Sequence, residues 1–418
     1  MKQPLLFLIA LLVPAQLLYA ASSLTLDEAL TAALKNHPQV IESRENLHGA
    51  EALTGLAMAN YYPQISIVAD WSKGRSFLTA LEKIKSAKVH TGTIYLKQTI
   101  YDFGRTSEAV DAARYNREAA NKALAATRKD LVLKVRSAYY LALAAAKQIA
   151  ATEETVKARA EVHRQAQEFF NQGTRAKVDV ARAEANLFTA KTAMIVAENN
   201  REMARIELAN SMGIVSLEDR SLVEPPAIAT PLPERGQAQM DAVRNRAELQ
   251  QLSALKSAAS ANLQAAKNTY LPVVSGTATI GYADRDFPPT GNVWGVGLNL
   301  TVPLFSGFSS VEQVREATAG LNAIDARNSN LKLQIIKEVE SAWLGCHEAS
   351  ARMASTAKEV AASEENRALA EGRYHEGVGN IIEVTDAQSQ ALDAQTANIQ
   401  AMYDYYTALA RLDRAMGK

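Results

Sequence analysis

One cysteine, Cys346, occurs in the 418 residues of this chain. An intrachain disulfide is therefore excluded, which fits a reducing compartment or a secreted fold that needs no covalent staple. Net charge is also missing. The 45 Lys and Arg balance 45 Asp and Glu, so no global basic field is there to attract nucleic acid. Charged residues make up 22% and hydrophobic ones 48%, a mixture that excludes wholesale disorder. Beyond the N-terminus no stretch is apolar enough for a membrane helix, so the chain could cross a membrane only with strands. Catalytic patterns are absent too. The six His residues (37, 48, 90, 163, 347, 375) are scattered, and His347-Glu348 lacks the second His of a zinc protease motif. No Ser lies in a G-x-S-x-G elbow, and there is no P-loop. Cys346, beside Trp343 and Leu344 on a helix, reads as a small buried or interface residue. The expectation is neither an enzyme nor a holder of metal or cofactor.

The N-terminus does carry a signal. Lys2 precedes an apolar run from Leu5 to Leu18, followed by Ala20, Ala21 and Ser22. That order is a secretory signal peptide, residues 1–20, cleaved after Ala20 or Ala21. The competing reading is a membrane anchor, for which a run of about 14 residues is short of the roughly 20 needed.

Helix breakers are so sparse that they outline the fold. From Arg105 to Gln172 there is no Gly and no Pro, and a helix of that length would rise roughly 100 Å. Within it Leu131, Val135, Ala138, Ala142, Ala145 and Ile149 keep the 4-3-4-3 spacing of a coiled-coil seam. Gly173 ends it, and a helix over 177–212 follows. After Pro303 no proline recurs. A second long helix is expected over 308–372, then a Gly turn and a last helix over 382–416. The first helix opens at Thr25 with Glu28 three residues on, as in a capping box, and runs past a possible interruption at Pro38 to about Asn60.

The plan is written twice. Tyr61-Tyr62-Pro63-Gln64 recurs as Tyr270-Leu271-Pro272-Val273, and the turn from Gly173 to Val180 recurs from Gly377 to Val384. Repeat 1 covers 24–212, a proline-rich linker 213–236, and repeat 2 237–418. Each holds two strand candidates: 65–73 and 91–101, then 273–282 and 293–302. Val274, Gly276, Ala278, Ile280 and Tyr282 alternate with Ser275, Thr277, Thr279 and Gly281. One face is apolar and the other small and polar, at the length of a tilted strand crossing a bilayer. A half-buried strand of a soluble sandwich shows the same alternation. The stretch from Lys73 to His90 is polar and mixed, and reads as a loop. Trp71, Tyr282 and Trp294, near strand ends, are candidates for an aromatic girdle at the membrane interface, or for ordinary packing.

Four strands cannot close a barrel, and an open sheet in lipid leaves its edges unpaired. The chain must then oligomerise. Three copies would supply twelve strands, a preferred count rather than a forced one.

These motifs carry a resemblance to the TolC-like outer-membrane efflux and secretion channels. It rests on Leu24-Thr25-Leu26-Asp27-Glu28-Ala29-Leu30 with Asn36-His37-Pro38, on Tyr62-Pro63, on Val302-Pro303-Leu304-Phe305-Ser306-Gly307, and on both Gly turns. The resemblance implies an α+β membrane protein of two tandem repeats. It implies a homotrimer with a 12-stranded β-barrel in the outer membrane of a Gram-negative bacterium, continued by a periplasmic α-helical tunnel. It further implies a periplasmic adaptor and an inner-membrane pump of RND or ABC type as partners, with outer-membrane lipid around the barrel. The function expected is a passive exit duct for small molecules. The alternatives are the outer-membrane part of type I protein secretion and, from another class, a soluble periplasmic coiled-coil scaffold.

Glu383 and Asp386 are three apart at a helix start and share a face. Their plain reading is dipole-stabilised N-terminal acids, worth about 0.3–1 kcal/mol. The resemblance implies instead an acidic constriction of the tunnel. It also matches Asp179 and Tyr374 to partners in links that hold the closed state. A third partner in the family is an Arg in the second Gly turn, where this chain has Gly379. Arg175 occupies the equivalent place in the first turn, so the closing network differs.

Overall fold

The computed structural model describes residues 23–78, 83–218, 220–226 and 231–418; the expected signal peptide lies outside them. The described residues form two compact units, one within 1–35, 135–230 and 356–403, the other within 36–134, 231–355 and 404–418. Each unit therefore draws on both sequence repeats. No helix among the described residues is long and apolar enough to cross a membrane.

The first copy runs α1 (Leu26–Asn36), α2 (Pro38–Met58), β1 (Gln64–Leu78), β2 (Lys83–Tyr101), α3 (Arg105–Asn171) and α4 (Lys177–Met212). The second runs α5 (Arg235–Asn245), α6 (Ala247–Lys267), β3 (Val273–Asp284), β4 (Gly291–Thr301), α7 (Ser309–His375) and α8 (Ile381–Ala415). The long helices α3 and α7 have 67 residues each. On α3, Leu131, Val135, Ala138, Ala142 and Ile149 of the expected seam are buried and Ala145 is half-buried.

The possible interruption at Pro38 is a full break, so the helical stretch expected from Thr25 to about Asn60 is two helices. Pro38 lacks an N–H and disfavours helical geometry in the residue before it. His37 is accordingly extended (φ −67°, ψ 129°), and its Nδ1 accepts from the Gln39 N–H at 3.2 Å. In the second copy the break falls at Arg246 (φ −64°, ψ 119°), with no proline beside it. A charged network holds that corner. Arg246 Nε lies 3.1 Å from Glu248, and its Nη1 lies 2.8 Å from Glu338. Arg414 pairs with Glu248 and, at 2.7 Å, with Asp130. Next to it Ile335, Val339, Cys346, Leu412 and Met416 form an apolar core. Burial there pushes the Cys346 thiol up to about 11.

All four strands lie in one antiparallel sheet of order β1-β2-β3-β4, with β1 and β4 at its edges. Register collects the apolar residues into rows: Ile65, Leu96, Ala278 and Val296, then Ile67, Ile94, Ile280 and Trp294. The opposite face carries Ser66, Tyr95, Thr279 and Gly295 in one such row. The expected loop from Lys73 to His90 is a correction. Its described residues are strand, and β1 and β2 pair along 64–78 and 83–97. Ladder hydrogen bonds join backbone groups that every non-proline residue carries, so polar composition did not end the strands.

Burial alone would raise the Glu248 carboxyl, but the Arg414 hydrogen bond and the charges of Arg414 and Arg246 outweigh it and hold it below its ordinary 4.5. A depressed carboxyl stabilises the fold above its unfolded value, and that stability is lost as pH falls through the folded one. Thermal unfolding of the detergent-solubilised protein should show stability falling below about pH 4.5, with Glu248→Gln flattening that fall. Arg414→Ala, which leaves the half-buried carboxylate with Arg246 alone, should cost about 1.5–2 kcal/mol at neutral pH. Wild-type unfolding by either variant across this range contradicts the role given to the network.

Candidate gate at the two glycine turns

Two helix-ending turns are built alike. Gly173 (φ +73°) follows α3, and Gly377 (φ +76°) follows α7. In the first, Thr174 N–H donates to the Phe169 carbonyl and Gly173 N–H to that of Phe170, both at 2.9 Å. In the second, Val378 N–H donates to Arg373 and Gly377 N–H to Tyr374, both at 3.0 Å. These are paired 6→1 and 5→2 bonds of the Schellman type, which require the left-handed residue that glycine supplies at least strain. Asn380 then caps α8, its Oδ1 accepting from the Glu383 N–H at 2.9 Å.

The chemistry differs between the copies. Arg175 leaves the first turn and reaches the second, where its Nη2 donates to the carbonyls of Gly377 at 2.9 Å and Gly379 at 2.6 Å. Its guanidinium lies 5.9 Å from the centre of the Tyr374 ring. Gly379 is buried against the end of α7. A Cβ there would lie 2.9 Å from Tyr374 N and 3.0 Å from Arg373 C, so no side chain fits without a backbone shift. Arg175 thus supplies from outside the cation that the second turn cannot carry.

Tyr374 is 1% exposed, in a core with Ala166, Ala183, Ile381 and Val384. Phe169 meets it edge-on at 5.7 Å. Among the described residues its hydroxyl has no hydrogen-bond partner. Burial pushes the phenol above its ordinary range, the Asp179 carboxylate adds to that, and Arg175 opposes it. Asp179 and Tyr374 are thus electrostatic neighbours without a hydrogen bond between them. Glu383 pairs with Arg373 at 3.1 Å, while Asp386 is exposed. Sequence spacing did not reveal the Arg373 partner, which belongs to the preceding helix. Among the described residues no cluster of His, Cys, Asp and Glu is placed to hold a metal ion.

The sheet's aromatics are exposed, Trp71 by 62%, Tyr282 by 55% and Trp294 by 76%. They stand in three successive rows, displaced one row at a time from β4 to β3 to β1. A second set was missed in the sequence: Tyr62, Tyr101, Phe305 and Phe308, at the strand ends nearest the helices, are also exposed. The signal was there in Tyr61-Tyr62, read as a repeat motif, and in the strand end at residue 101.

The profile of the outer membrane efflux protein family matches residues 29–214 and 240–418. The chain belongs to this family. Its place is the outer membrane, and its function is that of an efflux channel component. The outer membrane efflux protein BepC of Brucella suis is 27% identical over 415 residues, covering 96% of this chain and 86% of that one. The toxin and drug export protein A of Aggregatibacter actinomycetemcomitans is 20% identical over 390 residues, covering 92% and 84%. The fold is that of solved family channels. The Vibrio cholerae outer membrane protein VceC aligns with a TM-score of 0.81 at 20% identity, over 94% of this chain and 96% of that one.

Removing the Arg175 side chain should free two carbonyls of the second turn. In Arg175→Ala, amide exchange at 376–380 should accelerate about tenfold, the effect of roughly one net hydrogen bond of the charged kind. Exchange at the wild-type rate would show that Arg175 does not hold the turn.

Proposed function

We propose that three copies of this chain close a barrel and form the outer-membrane exit duct of a tripartite system. The observation that carries this reading is the sheet. Its apolar face lies between two sets of aromatics, and its β1 and β4 edges are unpaired within the chain. From Tyr62 to Trp71, at about 3.3 Å per residue and a strand tilt of about 40°, the height is about 23 Å, close to the apolar band of outer-membrane barrels. The line through Trp71, Tyr282 and Trp294 climbs two rows across three strand spacings, a slope of about 40°, so strands tilted as in a closed barrel would level these residues into one girdle. Four strands per chain and three chains give twelve. β1 of one copy then pairs with β4 of the next, and lipid surrounds the outside.

The working partners are a periplasmic adaptor and an inner-membrane pump, and small molecules are the cargo. Protein export is a second reading, favoured by one specific finding: a relative spanning most of the chain is named for both toxin and drug export.

Asp179, Tyr374, Arg175, Glu383 and Asp386 form the gate at the second Gly turn. In three copies the acids would face one axis, where crowded like charges attract cations. Arg373 already neutralises Glu383 in part, so Asp386 carries most of the field. In planar bilayers, Asp386→Asn should lower cation selectivity more than Glu383→Gln, with the double amide variant lowest. Unchanged selectivity in the double variant rejects the acidic ring. On gels the detergent-extracted chain should migrate as a heat-modifiable trimer, whereas recovery from the soluble periplasmic fraction contradicts the channel.

A further inference from the structure

Past Trp71 and His90 the apolar face of the sheet becomes basic. The β1–β2 hairpin extends beyond β3 and β4. Between Ser72 and His90 the sequence holds Lys73, Arg75, Lys83, Lys85 and Lys88 against one acid, Glu82. Register assigns their sides. Trp71 stands opposite His90, Lys73 opposite Lys88, and Arg75 opposite Ser86. Side chains alternate along a strand, so Lys73, Arg75 and Lys88 share the face that carries Ile67, Ile94 and Trp71. All three cations are exposed. The rings of Trp71 and His90 lie 6.5 Å apart, and Phe287 stands 5.7 Å from His90, fixing an aromatic base beneath them.

Like charges directly opposed on paired strands repel. Here one of the pair is compensated: Lys88 Nζ lies 2.8 Å from Asp286 Oδ1 in the β3–β4 turn. Among the described residues no carboxylate pairs with Lys73 or Arg75. An anion from outside would relieve that repulsion. Two residues along a strand is about 6–7 Å, or about 5 Å of height at barrel tilt, which sets the cations at headgroup depth just above an aromatic girdle. The opposite strand ends lead into α2, α3, α6 and α7, so this hairpin end is the one facing away from the periplasm. Lysine recognises phosphate as a point charge and arginine as a two-pronged donor.

We infer that Lys73, Arg75 and Lys88 form a binding site for the phosphate groups of a phosphorylated glycolipid in the outer leaflet. The inference rests on the sheet's place in the membrane.

The test is titration of the full-length protein in detergent micelles with bisphosphorylated lipid A, bound lipid being counted by native mass spectrometry. Wild type should bind in a salt-sensitive manner. K73Q/R75Q/K88Q should bind about a hundredfold more weakly, and K73R/K88R should match wild type. Dephosphorylated lipid should bind wild type as weakly as lipid A binds the triple variant. Equal affinity of wild type and triple variant, with both keeping heat-modifiable trimer migration, overturns the site. So does displacement of lipid A by millimolar inorganic phosphate, which would mark a site for a soluble anion. A wild-type protein that stays soluble without detergent and binds no lipid would instead overturn the membrane placement itself.

Discussion

A row of backbone N–H and C=O groups along the outer edge of β1, and another along β4, constrains everything else in this protein. In lipid each unpaired group costs several kcal/mol, and among the described residues no fifth strand covers either edge. The remedy has to come from further copies of the same sequence. Strand ends, aromatics and turn glycines can be read as making that association regular. Two hairpins with matched register present one edge of each kind, so a copy offers what its neighbour lacks.

The duplication gives equal backbones and unequal side chains. Both Gly turns close with the same pair of hydrogen bonds, since a helix end needs its last carbonyls satisfied whatever the sequence. What the copies do with those ends has diverged. The first turn exports a guanidinium; the second receives it on two carbonyls and keeps Glu383 beside Arg373. The guanidinium also faces the ring of Tyr374, whose hydroxyl has no partner among the described residues.

Period-two alternation made the lipid-facing parts of the strands legible, and the absence of Gly and Pro did the same for α3. The Schellman turns were readable because glycine at the left-handed position has a physical cause. Other features had no local signature. The hairpin beyond Trp71 is polar, and its backbone pairing leaves no trace in composition. The break at Arg246 has no proline to announce it, and one carboxylate that holds the corner, Glu338, comes from α7, far off in sequence. Arg175 could be matched by position to a cation of the second turn. Its acceptors are main-chain carbonyls, which every residue possesses, so no spacing could have named them.

Gly379 bears on how the gene can change. With backbone atoms within about van der Waals overlap of any Cβ, that codon is closed to every other amino acid unless the turn itself is rebuilt. Position 175, its counterpart, holds a long side chain that reaches across to the second turn. The two halves descend from one plan, yet they are no longer interchangeable. Recombination that copied the first turn over the second would jam a guanidinium-bearing residue into the end of α7, and conversion in the other direction would strip the second turn of its only visiting cation. Selection on this duplicated sequence therefore acts against homogenising its halves at this point.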